Sequence, residues 1–181
     1  MAEIAEPRPR NSDHLIALAF ALMGGVIGIF GAAFEELRSG LGILTPFIIA
    51  PIVEEALKPI GIYLLLYRSA HILRGRLYTA GLAAISGLCF GVIESIVYVT
   101  VYAPDASQLF FIYRFSVTLV LHMTGSFLVG LGITRALLDW ANGNGRFPKP
   151  TRNFYLAAVL IHAAYNTTVI ALELSGVLDF E

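Results

Sequence analysis

The hydrophobic positions of this chain fall into five long runs that are separated by short polar segments. The runs cover residues 14–34, 42–67, 78–102, 109–138 and 154–174. A helix needs about 20 mainly apolar residues to cross the hydrocarbon core of a bilayer, and each run reaches this length. The pattern therefore predicts an all-α, polytopic membrane helix bundle with about five transmembrane helices, which forms a single domain over residues 1–181.

The composition agrees with a membrane protein and excludes several other classes. Hydrophobic residues make up 57% of the chain and charged residues 14%, which is far more apolar than an ordinary water-soluble domain. The net charge is −1 and the basic residues lie in short loops, so we expect no nucleic-acid partner. Cys89 is the only cysteine, which excludes an intramolecular disulfide. The composition therefore predicts membrane lipids as partners.

The basic residues predict an orientation. Five crossings place the N-terminus and the loops at 68–77 and 139–153 on one side of the membrane. That side receives most of the basic residues, namely Arg8, Arg10, Arg68, Arg74, Arg76, Arg135, Arg146, Lys149 and Arg152, whereas the other side receives only Arg38 and Arg114. By the positive-inside rule the N-terminus is cytoplasmic, and we expect an integral protein of a prokaryotic cytoplasmic membrane.

The first apolar run also allows a second interpretation, as a cleaved signal peptide. Arg8 and Arg10 precede the run, and "GAA" at 31–33 resembles a cleavage site. The run is longer than the apolar region of about 7–15 residues that signal peptides have, so we expect it to be retained as a helix.

Polar residues occur at a common depth within four of the runs. They are Glu54, Glu55, Lys58, Glu94, His122, His162 and Asn166. Counted back to the nearest basic loop residue at 1.5 Å per residue, they lie roughly 15–27 Å from the cytoplasmic edge. An unpaired charge at a helix centre costs about 2.5–3.5 kcal/mol, so several of them predict a polar, water-containing site inside the bundle.

Local spacing adds detail to this site. Lys58 follows Glu54 by four residues and Glu55 by three, so its ammonium group can neutralise a carboxylate on the same helix face. Pro59 lacks an N–H group and predicts a kink directly after Lys58. His162 and Asn166 are four residues apart and share a face.

The charges predict acid–base chemistry. With neutral histidines, the three glutamates and Lys58 leave a net charge of −2 in a medium of low dielectric. Either a glutamate keeps its proton, or a histidine is protonated, or a divalent cation is bound. Each outcome suits general acid–base catalysis on water, and the Asn166 amide can stabilise an oxyanion.

Four motifs resemble those of one protease family. "EEALK" at 54–58 matches its EExxK motif and "FGVIE" at 90–94 its FxxxE motif. "LHMTGSFLVGLG" around His122 looks like its third polar helix, and "HAAYN" at 162–166 like its closing HxxxD/N motif. The family is that of the PrsW-type intramembrane proteases. The motifs are similar, more distantly, to the CAAX-prenyl protease and Abi families.

The resemblance implies a glutamic-type intramembrane protease that hydrolyses a single-span membrane protein or a membrane-associated peptide. It implies that Glu55 or Glu54 activates water with support from Glu94 and His122. His162 and Asn166 would bind water or the oxyanion, and Lys58 would hold the carboxylate pair. Asn166 stands where PrsW proteins more usually have Asp, which is closer to the CAAX-protease pattern.

Alternatives remain for the cofactor and for the function. We expect metal-free glutamate chemistry, but Glu55, Glu94, His122 and His162 also offer ligands for a zinc ion. A proton-coupled transporter or channel uses similar intramembrane residues as a relay. A non-catalytic binding or immunity protein with the same polar pocket is the third candidate.

Overall fold

The computed structural model describes residues 11–39, 42 and 44–180, and in these ranges the chain forms helices joined by turns. The α-helices are α1 (Asn11–Ser39), α2 (Ala50–Leu57), α3 (Ile60–Ser69), α4 (Arg76–Val97), α5 (Gln108–Tyr113), α6 (Leu119–Gly132), α7 (Arg135–Ala141) and α8 (Lys149–Leu174). Three π-helical segments, Thr45–Ile49, Tyr98–Tyr102 and Arg114–Thr118, extend α2, α4 and α5. The all-helical architecture confirms the predicted fold class.

Four continuous helical stretches are long and apolar enough to cross a membrane. They are Asn11–Phe34, Arg76–Tyr102, Gln108–Gly132 and Lys149–Leu174. The second predicted span differs, because it is interrupted at Lys58–Pro59 and forms α2 and α3 instead of one continuous helix. The fourth predicted span is also divided, since its helix ends at Gly132 and α7 follows as a separate short helix.

Contacts between helix ends establish the direction of the interrupted second span. The Arg74 guanidinium lies 3.2 Å from the Asp13 carboxylate, and His14 Nδ1 lies 3.0 Å from the Tyr78 hydroxyl. The start of α4 is therefore beside the start of α1. The chain between them runs up α1 and must return through residues 45–69, as the predicted five crossings require.

The remaining helix ends follow the same alternation. Arg76 donates to the Leu131 carbonyl at 3.2 Å, and Thr151 donates to the Gly132 carbonyl at 2.6 Å. The end of α6 and the start of α8 therefore lie at the end of the bundle where α1 begins. At the opposite end the Ser107 N–H donates to the Phe180 carbonyl at 3.0 Å. The cytoplasmic location of the first end stays a prediction.

Glycines allow the helices to approach closely at two crossings. A Cβ atom at Gly24 of α1 would lie 2.8 Å from the Gly61 backbone nitrogen of α3. A Cβ atom at Gly91 of α4 would lie 2.7 Å from the His122 ring on α6. Both distances are too short for a carbon atom, so Gly24 permits the close packing of α1 on α3, and Gly91 permits the packing of His122 against α4.

The interruption at Pro59 leaves the Lys58 carbonyl without its intrahelical donor. The Ile62 N–H donates to the Pro59 carbonyl at 2.8 Å, and the Lys58 carbonyl accepts instead from the buried Ser86 hydroxyl at 2.5 Å. A buried backbone carbonyl without a partner is costly. Ser86 of α4 therefore stabilises the break that orients Lys58.

We expect Ser86→Ala to lower the free energy of unfolding by about 1–3 kcal/mol, because the buried Lys58 carbonyl loses its donor. Unfolding in mixed detergent micelles, followed by circular dichroism, measures this. Ser175→Ala is the matched control, since the Ser175 hydroxyl is exposed and bonds the Leu172 carbonyl at the end of α8. Equal stability of the two variants would contradict the assigned role.

Candidate active site

A cavity of about 420 Å³, the central cavity, lies between α2, α4, α6 and α8. Five of the residues that the sequence singles out line it: Glu54, Glu94, His122, His162 and Asn166. Glu54, His122 and His162 are 4%, 1% and 3% exposed, so they face the cavity from a protein interior. Polar groups from these four helices therefore line one cavity, and their catalytic roles stay a prediction.

Glu54, His122 and His162 form the tightest group of candidate metal ligands among the described residues. One donor atom of each lies within 4.8 Å of a donor atom of the other two. His122 Nδ1 is buried without a hydrogen-bond partner in this part of the chain, and the buried Glu54 Oε2 has ion-pair contacts but no hydrogen bond there. Glu54 Oε2 lies 3.2 Å from the Lys58 ammonium and 3.9 Å from His162 Nε2.

Each histidine is held by a carboxylate through its other ring nitrogen. His122 Nε2 lies 2.9 Å from Glu94 Oε2, and His162 Nδ1 lies 2.8 Å from Glu55 Oε1. Metal-binding histidines usually donate their second N–H to a carboxylate in this way, which fixes the tautomer. With the protons on these two nitrogens, His122 Nδ1 and His162 Nε2 keep free lone pairs. The donor set therefore fits a divalent metal ion.

The sequence-based ligand set differs from this arrangement. It contained the two histidines with Glu55 and Glu94, whereas the structure groups the histidines with Glu54. Glu55 and Glu94 instead contact the outer nitrogens of the rings. Helical spacing cannot distinguish Glu54 from Glu55, because the neighbouring helices decide which of the two carboxylates reaches the cavity.

Glu55 lies behind the cavity wall. Its side chain is fully buried and is hydrogen-bonded to Lys58 at 2.8 Å and to His162. Gly125 of α6 leaves room for it, since a Cβ atom there would lie 2.6 Å from Glu55 Oε2. Of the two carboxylates predicted to activate water, Glu54 therefore lines the cavity, and Glu55 is placed to orient His162.

Lys58 pairs with both carboxylates, as the motif spacing predicts. Its ammonium group lies 2.8 Å from Glu55 and 3.2 Å from Glu54, and its side chain is fully buried. It also lies 4.8 Å from the centre of the Phe90 ring, in a cation–π contact. Phe90, the first residue of the "FGVIE" motif, thus covers the charged group that holds the glutamates.

Asn166 lines the central cavity but contacts a different element. Its amide Nδ2 donates to the Pro46 carbonyl at 2.8 Å. One of its two N–H groups is therefore occupied by the backbone of the π-helical segment before α2. Only the second N–H of Asn166 could therefore make the predicted contact with an oxyanion.

Arg114 is the site residue that the sequence analysis missed. It was counted as an external loop charge, but it is only 9% exposed and its guanidinium lies 2.6 Å from Glu94 Oε2. The guanidinium also lies 4.0 Å from the centre of the Tyr98 ring. The available signal was its position inside the fourth apolar run, eight residues before His122. With Arg114 included, the formal charge of the cluster becomes −1.

All three π-helical segments contribute to the wall of the central cavity. Thr45 and Pro46 come from the first, Tyr98 and Tyr102 from the second, and Arg114 and Thr118 from the third. Such wide turns are rare inside helices and occur frequently at functional sites. Hydrophobic periodicity does not reveal them, because each inserts within an unbroken apolar run.

Comparison with known proteins identifies the family of the chain. The model of the PrsW family intramembrane metalloproteases matches residues 14–180, which covers all four motifs. The chain belongs to the PrsW family. No curated protein and no solved structure matches it. The PrsW assignment confirms the resemblance found in the motifs and makes the chain an integral membrane protein of an intramembrane protease family.

Proposed function

We propose that this PrsW-family protein is a zinc-dependent intramembrane peptidase in which Glu54, His122 and His162 hold the ion. The observation that carries the proposal is the pairing of each histidine with a carboxylate, which leaves one nitrogen of each ring free beside Glu54. Two histidines, one carboxylate and an open position are typical of catalytic zinc sites. The family description, a metalloprotease, supports the same choice over metal-free glutamate chemistry.

When bound, the ion would supply Lewis-acid activation of water and of the substrate carbonyl. The chain's own residues supply the rest. Glu94 Oε2 bonds both His122 and Arg114, and no described residue bonds its Oε1. Glu94 Oε1 would take the proton of the attacking water and deliver it to the leaving amine.

Arg114 would stabilise the negative charge that develops on the substrate carbonyl. Its guanidinium lines the central cavity, and its Nε–H is buried without a hydrogen-bond acceptor among the described residues. A buried donor of this kind is preorganised for an oxyanion. The second N–H of Asn166, which also lines the central cavity, would assist.

We propose a single-span membrane protein or a membrane-associated peptide as substrate, in a prokaryotic cytoplasmic membrane. The support is the position of the central cavity, which lies between α2 and three helical stretches that are long enough to cross the membrane, Arg76–Tyr102, Gln108–Gly132 and Lys149–Leu174. The basic end of the bundle supports a cytoplasmic N-terminus.

Cleavage of a fluorescent transmembrane peptide by the purified protein in lipid nanodiscs tests the proposal. We expect a zinc chelator to abolish cleavage, added zinc to restore it, and elemental analysis to find about one zinc per chain. Lys149→Ala is the control, because Lys149 is an exposed residue at the start of α8 and far from the cavity.

Two results would reject the proposal of a zinc-dependent peptidase. Full activity after removal of all zinc would favour glutamate chemistry without a metal. No cleavage, together with proton flux into liposomes that depends on Glu94, would favour the transporter alternative.

A further inference from the structure

A second cavity of about 670 Å³ adjoins the central cavity towards the end of the bundle where α8 finishes. We call it the outer vestibule. Six residues line both cavities: Pro46, Tyr98, Tyr102, Arg114, Tyr165 and Asn166. Arg114 and Asn166, two of the proposed catalytic groups, therefore border both cavities.

The outer vestibule carries negative charge that no described residue neutralises. Asp105 and Glu173 line its exposed rim, and neither forms an ion pair within the described part of the chain. Among the described residues that line it, Arg114 is the only cation, and it is paired with Glu94 at 2.6 Å. The rim therefore favours positively charged groups.

The wall of the outer vestibule is aromatic and already holds one cation on a ring face. The Arg114 guanidinium lies 4.0 Å from the centre of the Tyr98 ring. Tyr102 lies beside Tyr98 with ring centres 5.1 Å apart, and Tyr113 and Tyr165 stack at 6.1 Å. Tyrosine faces next to carboxylates form a binding surface for an ammonium or guanidinium group.

The length of α8 gives the scale of the approach. Glu173 is eleven residues beyond His162 and seven beyond Asn166, which corresponds to roughly 10–16 Å along the helix axis. An extended peptide covers that distance with about three to five residues.

We propose that the outer vestibule binds a lysine or arginine side chain of the substrate, three to five residues from the cleaved bond. Asp105 and Glu173 would attract the charge, and the tyrosine faces would contact the side chain. The proposal rests on the proposed peptidase function only for the position of the cleaved bond. Binding of a basic peptide can be measured without any reaction.

The test uses the full chain in lipid nanodiscs and three labelled ten-residue peptides of Gly and Ser. They differ at one position, which is Lys, Gln or Glu. By fluorescence anisotropy we expect the Lys peptide to bind about 5-fold more tightly than the Gln peptide, and the Glu peptide to bind most weakly. The double variant Asp105→Asn, Glu173→Gln should bind all three about equally. Asp139→Asn, an exposed aspartate at the opposite end, should keep the preference.

Equal affinities in the unmodified protein, or a preference that survives in the double variant, would overturn the proposal. A second experiment tests basic-residue binding separately from the peptidase function. It uses transmembrane substrates that carry Lys, Gln or Glu four positions from the cleaved bond. Binding preference without any cleavage supports the outer vestibule and rejects the peptidase. Cleavage without charge preference rejects the outer vestibule and leaves the peptidase standing.

Discussion

Replacement of Glu54 by Gln is expected to abolish peptide cleavage and stoichiometric zinc binding together. Glu54 is the carboxylate that faces the central cavity beside His122 and His162, and an amide oxygen is a far weaker zinc ligand. Elemental analysis of the purified variant and cleavage of the transmembrane peptide measure the two losses. Excess zinc should not restore activity.

The neighbouring substitution, Glu55→Gln, provides the sharpest comparison. Glu55 contacts the outer nitrogen of His162, so we expect about 10- to 100-fold weaker zinc binding and activity that excess zinc restores. Both variants remove one charge from adjacent positions of α2, and both weaken the pairing with Lys58. If Glu55→Gln loses zinc irreversibly and Glu54→Gln retains it, the assignment of the two carboxylates is reversed.

Replacement of Lys58 by Met is expected to lower the free energy of unfolding by about 3–5 kcal/mol. The substitution keeps the packing volume but leaves Glu54 and Glu55 buried without their cation, and an uncompensated buried charge has this order of cost. Unfolding in mixed micelles measures the loss. Lys149→Met, at an exposed position, should change stability by less than about 0.5 kcal/mol.

A double variant shows whether the stability lost in Lys58→Met comes from the ion pairs of Lys58 or from its packing. If the lost charge balance causes the instability, Lys58→Met combined with Glu55→Gln should be more stable than Lys58→Met alone. Additive losses would show that Lys58 acts through packing, for example through its contact with Phe90.

The fold could be predicted because membrane helices leave a strong periodic signal. Five apolar runs predicted about five crossings; in the described residues four of these runs contain helices long enough to span a membrane, and the second contains the interrupted α2 and α3. The break after Lys58 was also predictable, because Pro59 cannot donate a backbone hydrogen bond. Its stabilisation by Ser86 was not, since Ser86 is 28 residues away in sequence.

The sequence predicted most of the residues of the candidate site but not how they contact one another. Any one polar residue in hydrocarbon has a structural explanation, but Glu54, Glu94, His122 and His162 together at one depth are costly, and this combination predicted a common site. Which ring nitrogen each histidine leaves free depends on the carboxylate that approaches from another helix. Arg114 was misplaced because charge counting treats every arginine near a span boundary as a loop residue.

The sequence by itself determined a membrane-embedded helix bundle, its family and the polar residues that meet inside it. These depend on hydrophobicity and on spacing along single helices, which are local properties. Only the tertiary structure decided that Glu54 faces the cavity while Glu55 lies behind it, that Arg114 pairs with Glu94, and that π-helical turns form the cavity wall. Those features depend on how neighbouring helices pack. The order of residues along one helix does not specify which side chain of another helix it will contact.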